Sequence, residues 1–287
     1  NYTVDKVVLA QSGSVPDDAA VLIVAGPKTD FFPNEITAIK TYLGKSGKLF
    51  LQLDPPDKPE APALTNLIAL AHEWGVDVGT NVVVDVSGMG RLIGTDASVP
   101  VAASYPYHPI TQKFSYITAF PMARSVTPVE GGVDGHTAQT FVETSQRSWA
   151  ETDIKALLTS GQVKFDADKG DKQGPIAIAA AVSSTPQMPE GVTQEPSGKP
   201  ETRVVVFGDS DFATNATLGI QGNKDLFLNT VGWLSQQENL ISIRPKEADD
   251  RRITMTASQQ ASVGWLSLLI IPGVIFALGV QTWWRRR

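Results

Sequence analysis

The 287-residue sequence contains no cysteine. That excludes disulfides, thiolate metal sites and cysteine nucleophiles together. Histidine is scarce: only His72, His108 and His136 are available as a general base. Basic residues are outnumbered, 24 Lys+Arg against 30 Asp+Glu, for a net charge of −6. A nucleic-acid-binding role needs a basic face to neutralise phosphates, so none is expected. A Gly-rich phosphate loop is also missing. Gly44-Lys45-Ser46 ends like one, but Ile39 stands where its first glycine belongs. ATP hydrolysis is therefore expected from another chain. Hydrophobic residues at 42% and charged residues at 19% are globular proportions, which excludes disorder as a description of the whole.

One further absence is local. No charge occurs between Arg252 and Arg285, a gap of 32 positions. Within it Val263–Trp284 is 22 residues of mostly apolar sequence. As a helix it reaches roughly 33 Å, the thickness of a bilayer's hydrocarbon core. Trp265 flanks one end and Trp283 and Trp284 the other, where interfacial anchors belong. Pro272-Gly273 falls within the span, which a membrane helix tolerates. Residues 263–284 are thus expected to be a transmembrane helix. Arg285, Arg286 and Arg287 come directly after it, and such a cluster favours a cytoplasmic C-terminus. The net charge then splits into −9 on residues 1–284 and +3 on a short basic stub at 285–287. The expected location is the inner or cytoplasmic membrane, with the bulk of the chain extracytoplasmic. Because residue 1 is Asn and a strand-like run begins at once, an export signal or anchor is expected upstream of this sequence.

Residues 1–85 alternate strand and helix patterns. Val4–Leu9, Val21–Ala25, Lys48–Leu53 and Val82–Val84 read as short apolar strands. Phe32, Ile36, Ile39 and Leu43 recur at helical spacing, with Pro33 suited to the first turn. Leu64, Leu67, Ile68, Ala71 and Trp74 give a second amphipathic helix, closed by Gly75. This alternation predicts a mainly parallel sheet flanked by helices, an α/β fold. Periodicity then fades, and residues 86–136 read as an irregular insertion. Thr137–Glu143, Pro175–Val182 and Arg203–Phe207 resume strand patterns, and Asn223–Gln237 reads as a helix. Gln187–Thr202 reads as a mobile loop, Leu240–Arg244 as an edge strand, and 246–262 as a polar connector from an extracytoplasmic domain at 1–245.

Candidate chemistry gathers where strands end. Phe207-Gly-Asp-Ser-Asp-Phe-Ala-Thr-Asn215 directly succeeds a strand, as do Gly26-Pro-Lys28 and Asp54-Pro-Pro-Asp57. In an open parallel sheet such loops line the ligand crevice. Asp54, Asp209, Ser210, Asp211 and Asn215 are therefore the candidate ligand-binding residues. Three carboxylates on one rim could hold a hard cation or sugar hydroxyls. Equally, Asp209 and Asp211 could fix the turn and cap the next helix. The aromatics Tyr105, Tyr107, Tyr116 and Phe120 could line a sugar or peptide groove or belong to a core.

Gly208-Asp-Ser210 is similar to the start of one esterase family, with Ser210 as nucleophile, but that chemistry needs a histidine partner. Asp54 with the later Gly-Asp-Ser-Asp resembles the motif order of haloacid-dehalogenase-type phosphatases. Pro55 and Pro56 displace the paired carboxylate that their reaction uses. A membrane-tethered hydrolase built on Asp54, Asp209 and Ser210 is the alternative function, and a purely structural scaffold a third.

Several stretches together resemble the GldG-type auxiliary components of ABC transporters. They are Val24-Ala-Gly-Pro27, Leu49–Asp54, Ser148-Trp-Ala-Glu-Thr-Asp153, Val206–Asn215, Asn229–Leu234 and Glu238–Lys246. The resemblance implies a domain similar to class I glutamine amidotransferases without their cysteine nucleophile. It also implies an ABC-2-type permease and an ATPase as partners and a link to gliding motility. For the domain itself a polysaccharide, a peptide or a partner protein is the expected ligand, and no cofactor is expected. The expected function is a non-enzymatic, membrane-anchored accessory subunit.

Overall fold

The computed structural model describes residues 2–58, 60–185, 201–236 and 264–286. The chain divides into two units, Asn1–Ile243 and Arg244–Arg287. The expected loop at 187–202 falls outside the described residues except for its last two positions. The expected edge strand at 240–244 and the connector at 246–262 lie wholly outside them.

The first unit begins with an extended segment and a helical turn α1 (Leu9–Ser12), in place of the strand expected over Val4–Leu9. Val4 and Val8 remain exposed and only Leu9 is buried, so this run has no strand partner to cover it. Next come β1 (Leu22–Ala25), α2 (Pro33–Gly44), β2 (Lys48–Gln52) and α3 (Thr65–Glu73), in the order the hydrophobic periods predict. Pro33 occupies the first turn of α2, where its missing N–H costs nothing. Glu35 accepts a hydrogen bond from the Phe32 N–H at 2.8 Å, satisfying one free donor of that helix end.

The chain continues through β3 (Val76–Val78), β4 (Val82–Asp85), α4 (Met89–Leu92), β5 (Val101–Ala102), β6 (Thr118–Ala119) and β7 (Val126–Pro128). Then come β8 (Gln139–Glu143), β9 (Ser148–Glu151), α5 (Ile154–Ser160), β10 (Lys172–Gln173), β11 (Ala177–Ser184), β12 (Thr202–Phe207) and α6 (Asn223–Leu234). The main sheet has the order β1-β2-β12-β11-β8. β1, β2 and β12 are parallel, with Leu22 and Val204 both opposite Leu49. β11 runs antiparallel to both β12 and β8.

The sheet is therefore mixed: β1, β2, β12 and β8 share one direction, and β11 alone runs against them. A parallel pair needs a crossover, and the sequence supplies helices for that only between the early strands. β8 to β12 arrive with no comparable helix packed across the sheet, so β11 folds back on its neighbours. Three smaller antiparallel sheets, β10-β9-β4, β3-β7 and β5-β6, complete the unit.

Alternation along β2 divides the core. Leu49, Leu51 and Leu53 face one cluster with Ile39 and Leu43 of α2 and Leu67 and Leu70 of α3. Phe50 faces the other, with Phe207, Phe212 and Leu226 of α6. The segment 86–136 is not peripheral to this core. Ile110, Phe120 and Ala123 are fully buried in the second cluster, as is Val126 in the first.

The second unit shows a π-helical stretch Leu266–Ile270 leading into an α-helix Ile271–Arg285. Pro272 has no N–H to return to the preceding turn, and the widened π turn sits just before it. Within these 20 residues an 18-residue stretch reaches a mean hydropathy of 1.9, and apolar side chains from Leu266 to Trp284 are exposed along it. Such a helix is long and apolar enough to cross a membrane.

Candidate functional site

β1, β2 and β12 point their carboxyl ends the same way, so the loops after them converge. Asp54, just beyond β2, is the hub. Its Oδ1 accepts the Ser210 backbone N–H at 2.6 Å and its Oδ2 accepts the Ser210 hydroxyl at 2.9 Å. Lys28, beyond β1, reaches the same Oδ2 at 3.2 Å. The three loops can only meet this closely because residue 26 is glycine. Its φ is +55°, and a Cβ there would lie 2.4 Å from Ser210 Oγ and 2.8 Å from Asp54 Oδ2.

Asp209 does not share this rim. It is 1% exposed, and its two carboxylate oxygens accept the N–H groups of Asp211 at 2.8 Å and Phe212 at 3.1 Å. It fixes the turn that carries Ser210, and Phe212 anchors that turn by stacking on Phe207 at 4.8 Å. Asp211 and Asn215 are exposed on the turn itself.

Burial pushes the Asp209 carboxyl well above its ordinary value, helped by the charges of Asp54 and Asp211 and opposed by the two N–H bonds. Asp211 is also raised, by partial burial and then by Asp54, with Lys28 opposing. Burial alone would lower Lys28. Its bond to Asp54 and the charges of Asp54, Asp57 and Asp211 outweigh that and raise it.

Arg124 enters from the segment 86–136. Its backbone N–H donates to the Gly208 carbonyl at 2.8 Å, closing that segment onto the end of β12. A Cβ on Gly208 would meet the Arg124 carbonyl, so this approach too requires glycine. The guanidinium donates through Nε to the Gly79 carbonyl and through Nη1 to the Asp54 carbonyl at 3.1 Å. Burial lowers it to about 10, with Asp54 opposing, so it remains charged at neutral pH.

Beside Asp54 lies a cavity of about 160 Å³. Lys28, Asp54, Asp57 and Arg124 supply its polar lining, and prolines 27, 55, 56 and 62 much of the rest. Among the described residues, no group of three or more His, Asp or Glu is arranged to hold a metal ion.

The chain matches the family model of an ABC-type uncharacterized transport system over residues 1–233. It belongs to that family of ABC-transport auxiliary components. Family membership gives the chain an accessory role in an ABC transport system. No curated protein sequence matches it. Among solved structures it is similar to the "mmIFT52 N-terminal domain", at 14% identity and a TM-score of 0.52. The similarity covers 75% of this chain and 77% of that one, and it is a likeness of fold.

The histidines of this auxiliary component are engaged in packing and surface pairing. His72 Nδ1 lies 2.7 Å from Asp77 Oδ1, and His136 stacks on Trp74 at 4.1 Å. His108 is buried against Phe141 and Trp233. Ser210 Oγ bonds to Asp54, a carboxylate already holding a lysine. The aromatic candidates divide. Phe120 is core, Tyr105 bonds the Ala102 and Tyr116 carbonyls, and Tyr107 is 74% exposed. Trp149 is buried, its indole N–H held by Glu151 at 3.0 Å. Arg124 escaped the sequence argument because its surroundings have no period. Its only signal was a lone cation in the apolar run Phe120–Val126.

Proposed function

We propose that this chain is a non-catalytic, membrane-anchored accessory subunit of an ABC-2-type transporter. Its α/β unit stands outside the membrane and takes a ligand or partner group at the strand-end cleft, while the terminal helix docks on the permease. Supporting this are the cleft formed by Lys28, Asp54 and Arg124 at the carboxyl ends of parallel strands, in a chain that also carries an apolar helix of bilayer length. The arginines at 285–287 favour a cytoplasmic C-terminus and so an extracytoplasmic α/β unit. Lys28, Asp54, Asp57 and Arg124 are the charged groups that line the cleft, whereas Asp211 lies outside its lining and Asp209 and Ser210 hold the loop in place. The non-catalytic assignment draws on the engagement of all three histidines in other contacts.

Affinity purification of the full chain from a detergent extract of its own membranes tests this. Recovery of an ATPase and a polytopic permease is the expected result. Their consistent absence, from an extract shown to contain both, overturns the proposal. Ester or phosphoester hydrolysis that disappears in Ser210→Ala would replace it with the hydrolase alternative.

A further inference from the structure

Arg124 is the charged group at the cleft whose donors are not all used. The residue is only 4% exposed. Its Nε and Nη1 donate to two neutral backbone carbonyls, those of Gly79 and Asp54. Its Nη2 has no hydrogen-bond partner among the described residues. The Asp54 carboxylate does not pair with it directly; its oxygens accept from Ser210 and Lys28 instead. A buried cation without a direct counter-anion is costly, and a guanidinium is shaped to be completed by a planar anion. Arg124 lines the cavity beside Asp54, and Lys28, with a side chain 68% exposed, stands at its mouth.

We propose that this cavity binds a carboxylate carried on a small apolar group, the chemistry of a peptide C-terminus ending in a small apolar residue, with Arg124 Nη2 and Lys28 Nζ as donors. The lining separates this ligand from other anions. Pro55, Pro56, Pro62, Leu64 and Ile68 present apolar walls, which suit an alkyl substituent better than the many hydroxyls of an acidic sugar. Asp54 and Asp57 also line the cavity, and they oppose a phosphate dianion more strongly than a single carboxylate charge. The volume of about 160 Å³ admits a carboxylate and a few carbons, far more than one water requires. The Asp54 bonds to Ser210 and Lys28 keep the loops in register around it.

This inference rests on the cleft being the ligand site of the proposed accessory subunit. Its test uses the full chain in detergent micelles and titration calorimetry, with N-acetyl-Ala-Ala as the free acid. The amide of the same dipeptide, glucuronate and inorganic phosphate are the comparison probes. The free acid is expected to bind saturably and the amide at least about tenfold more weakly, since a charge-assisted pair is lost. Lys28→Ala is expected to weaken the acid several-fold with only a small drop in Tm, since the ion pair it loses is largely solvent-exposed on the lysine side. Arg124→Met is expected to abolish binding. Equal affinity for acid and amide overturns the proposal. So do an unaffected Lys28→Ala, tighter binding of phosphate or glucuronate, and no binding of the acid. Co-purification of ATPase and permease is scored separately on the same preparations. If it persists while the acid fails to bind, the ligand class is wrong and the accessory role stands.

Discussion

Asp209 and Asp211 are two positions apart and have opposite surroundings. Asp211 is on the surface, whereas Asp209 is sealed under the turn with two backbone donors. Because burial raises Asp209, the folded state binds its proton more tightly than the unfolded chain does. Stability from this group is present at low pH and falls as pH rises from the ordinary aspartate range towards the raised folded value. Asp209→Asn removes that slope. Denaturant unfolding at pH 4.5 and 7.5 should show wild type losing its margin over the variant at the higher pH. Asp209→Ala also removes the acceptor for the Asp211 and Phe212 N–H groups and should cost about 1–2 kcal/mol at pH 4.5 and less at pH 7.5. At Gly26 the left-handed φ and the oxygens of Ser210 and Asp54 act together. Gly26→Ala should lower stability by at least about 1–2 kcal/mol, read as a drop in Tm, and loosen the Asp54–Ser210 bonds. The sequence marks Asp209 and Asp211 as candidates but cannot rank them. Whether an acidic side chain caps a turn or faces a ligand depends on which way that turn is packed.

The turn Gly208–Asn215 works as an element because Phe212 is its anchor. Phe212 is fully buried, and its ring lies 10° from coplanar with Phe207. Phe212→Ala should cost about 3–5 kcal/mol and detach Ser210 from Asp54, seen as a lowered denaturation midpoint. The helices α2 and α3 were legible in outline because Ile36, Ile39 and Leu43, and Leu67 and Ala71, keep the helical period on the buried face. Val4–Leu9 misled because its valines suit a strand locally, and only a missing neighbour shows that none forms. The terminal helix was legible for a different reason. Its uninterrupted apolar sequence is a composition signal that needs no partner. Ile275 is 66% exposed on it, and Ile275→Arg should cost roughly 3–4 kcal/mol of insertion. Carbonate extraction of membranes should release a larger fraction of that variant than of wild type.

At the scale of the whole chain, the two units divide the work expected of an accessory subunit. A chain ended after residue 243 should leave the membrane fraction, because the bilayer-length helix goes with the removed unit. Retention of that truncated chain in washed membranes would mean a second attachment. The sequence by itself determined that no cysteine chemistry is open to the chain, that it carries an apolar run of bilayer length, and that β1, α2, β2 and α3 alternate over residues 22–73. These are signals carried by composition or by short-range period, and neither depends on distant contacts. Only the tertiary structure decided that the sheet is mixed, since strand direction is set by which neighbours pair. It also decided that the segment 86–136 is core, and that Arg124 stands beside Asp54. A contact across 70 positions, closed by the Gly208 carbonyl and the Asp54 carbonyl, leaves no trace in local pattern. The Arg124 site is therefore a product of chain packing around two glycines that let backbones approach.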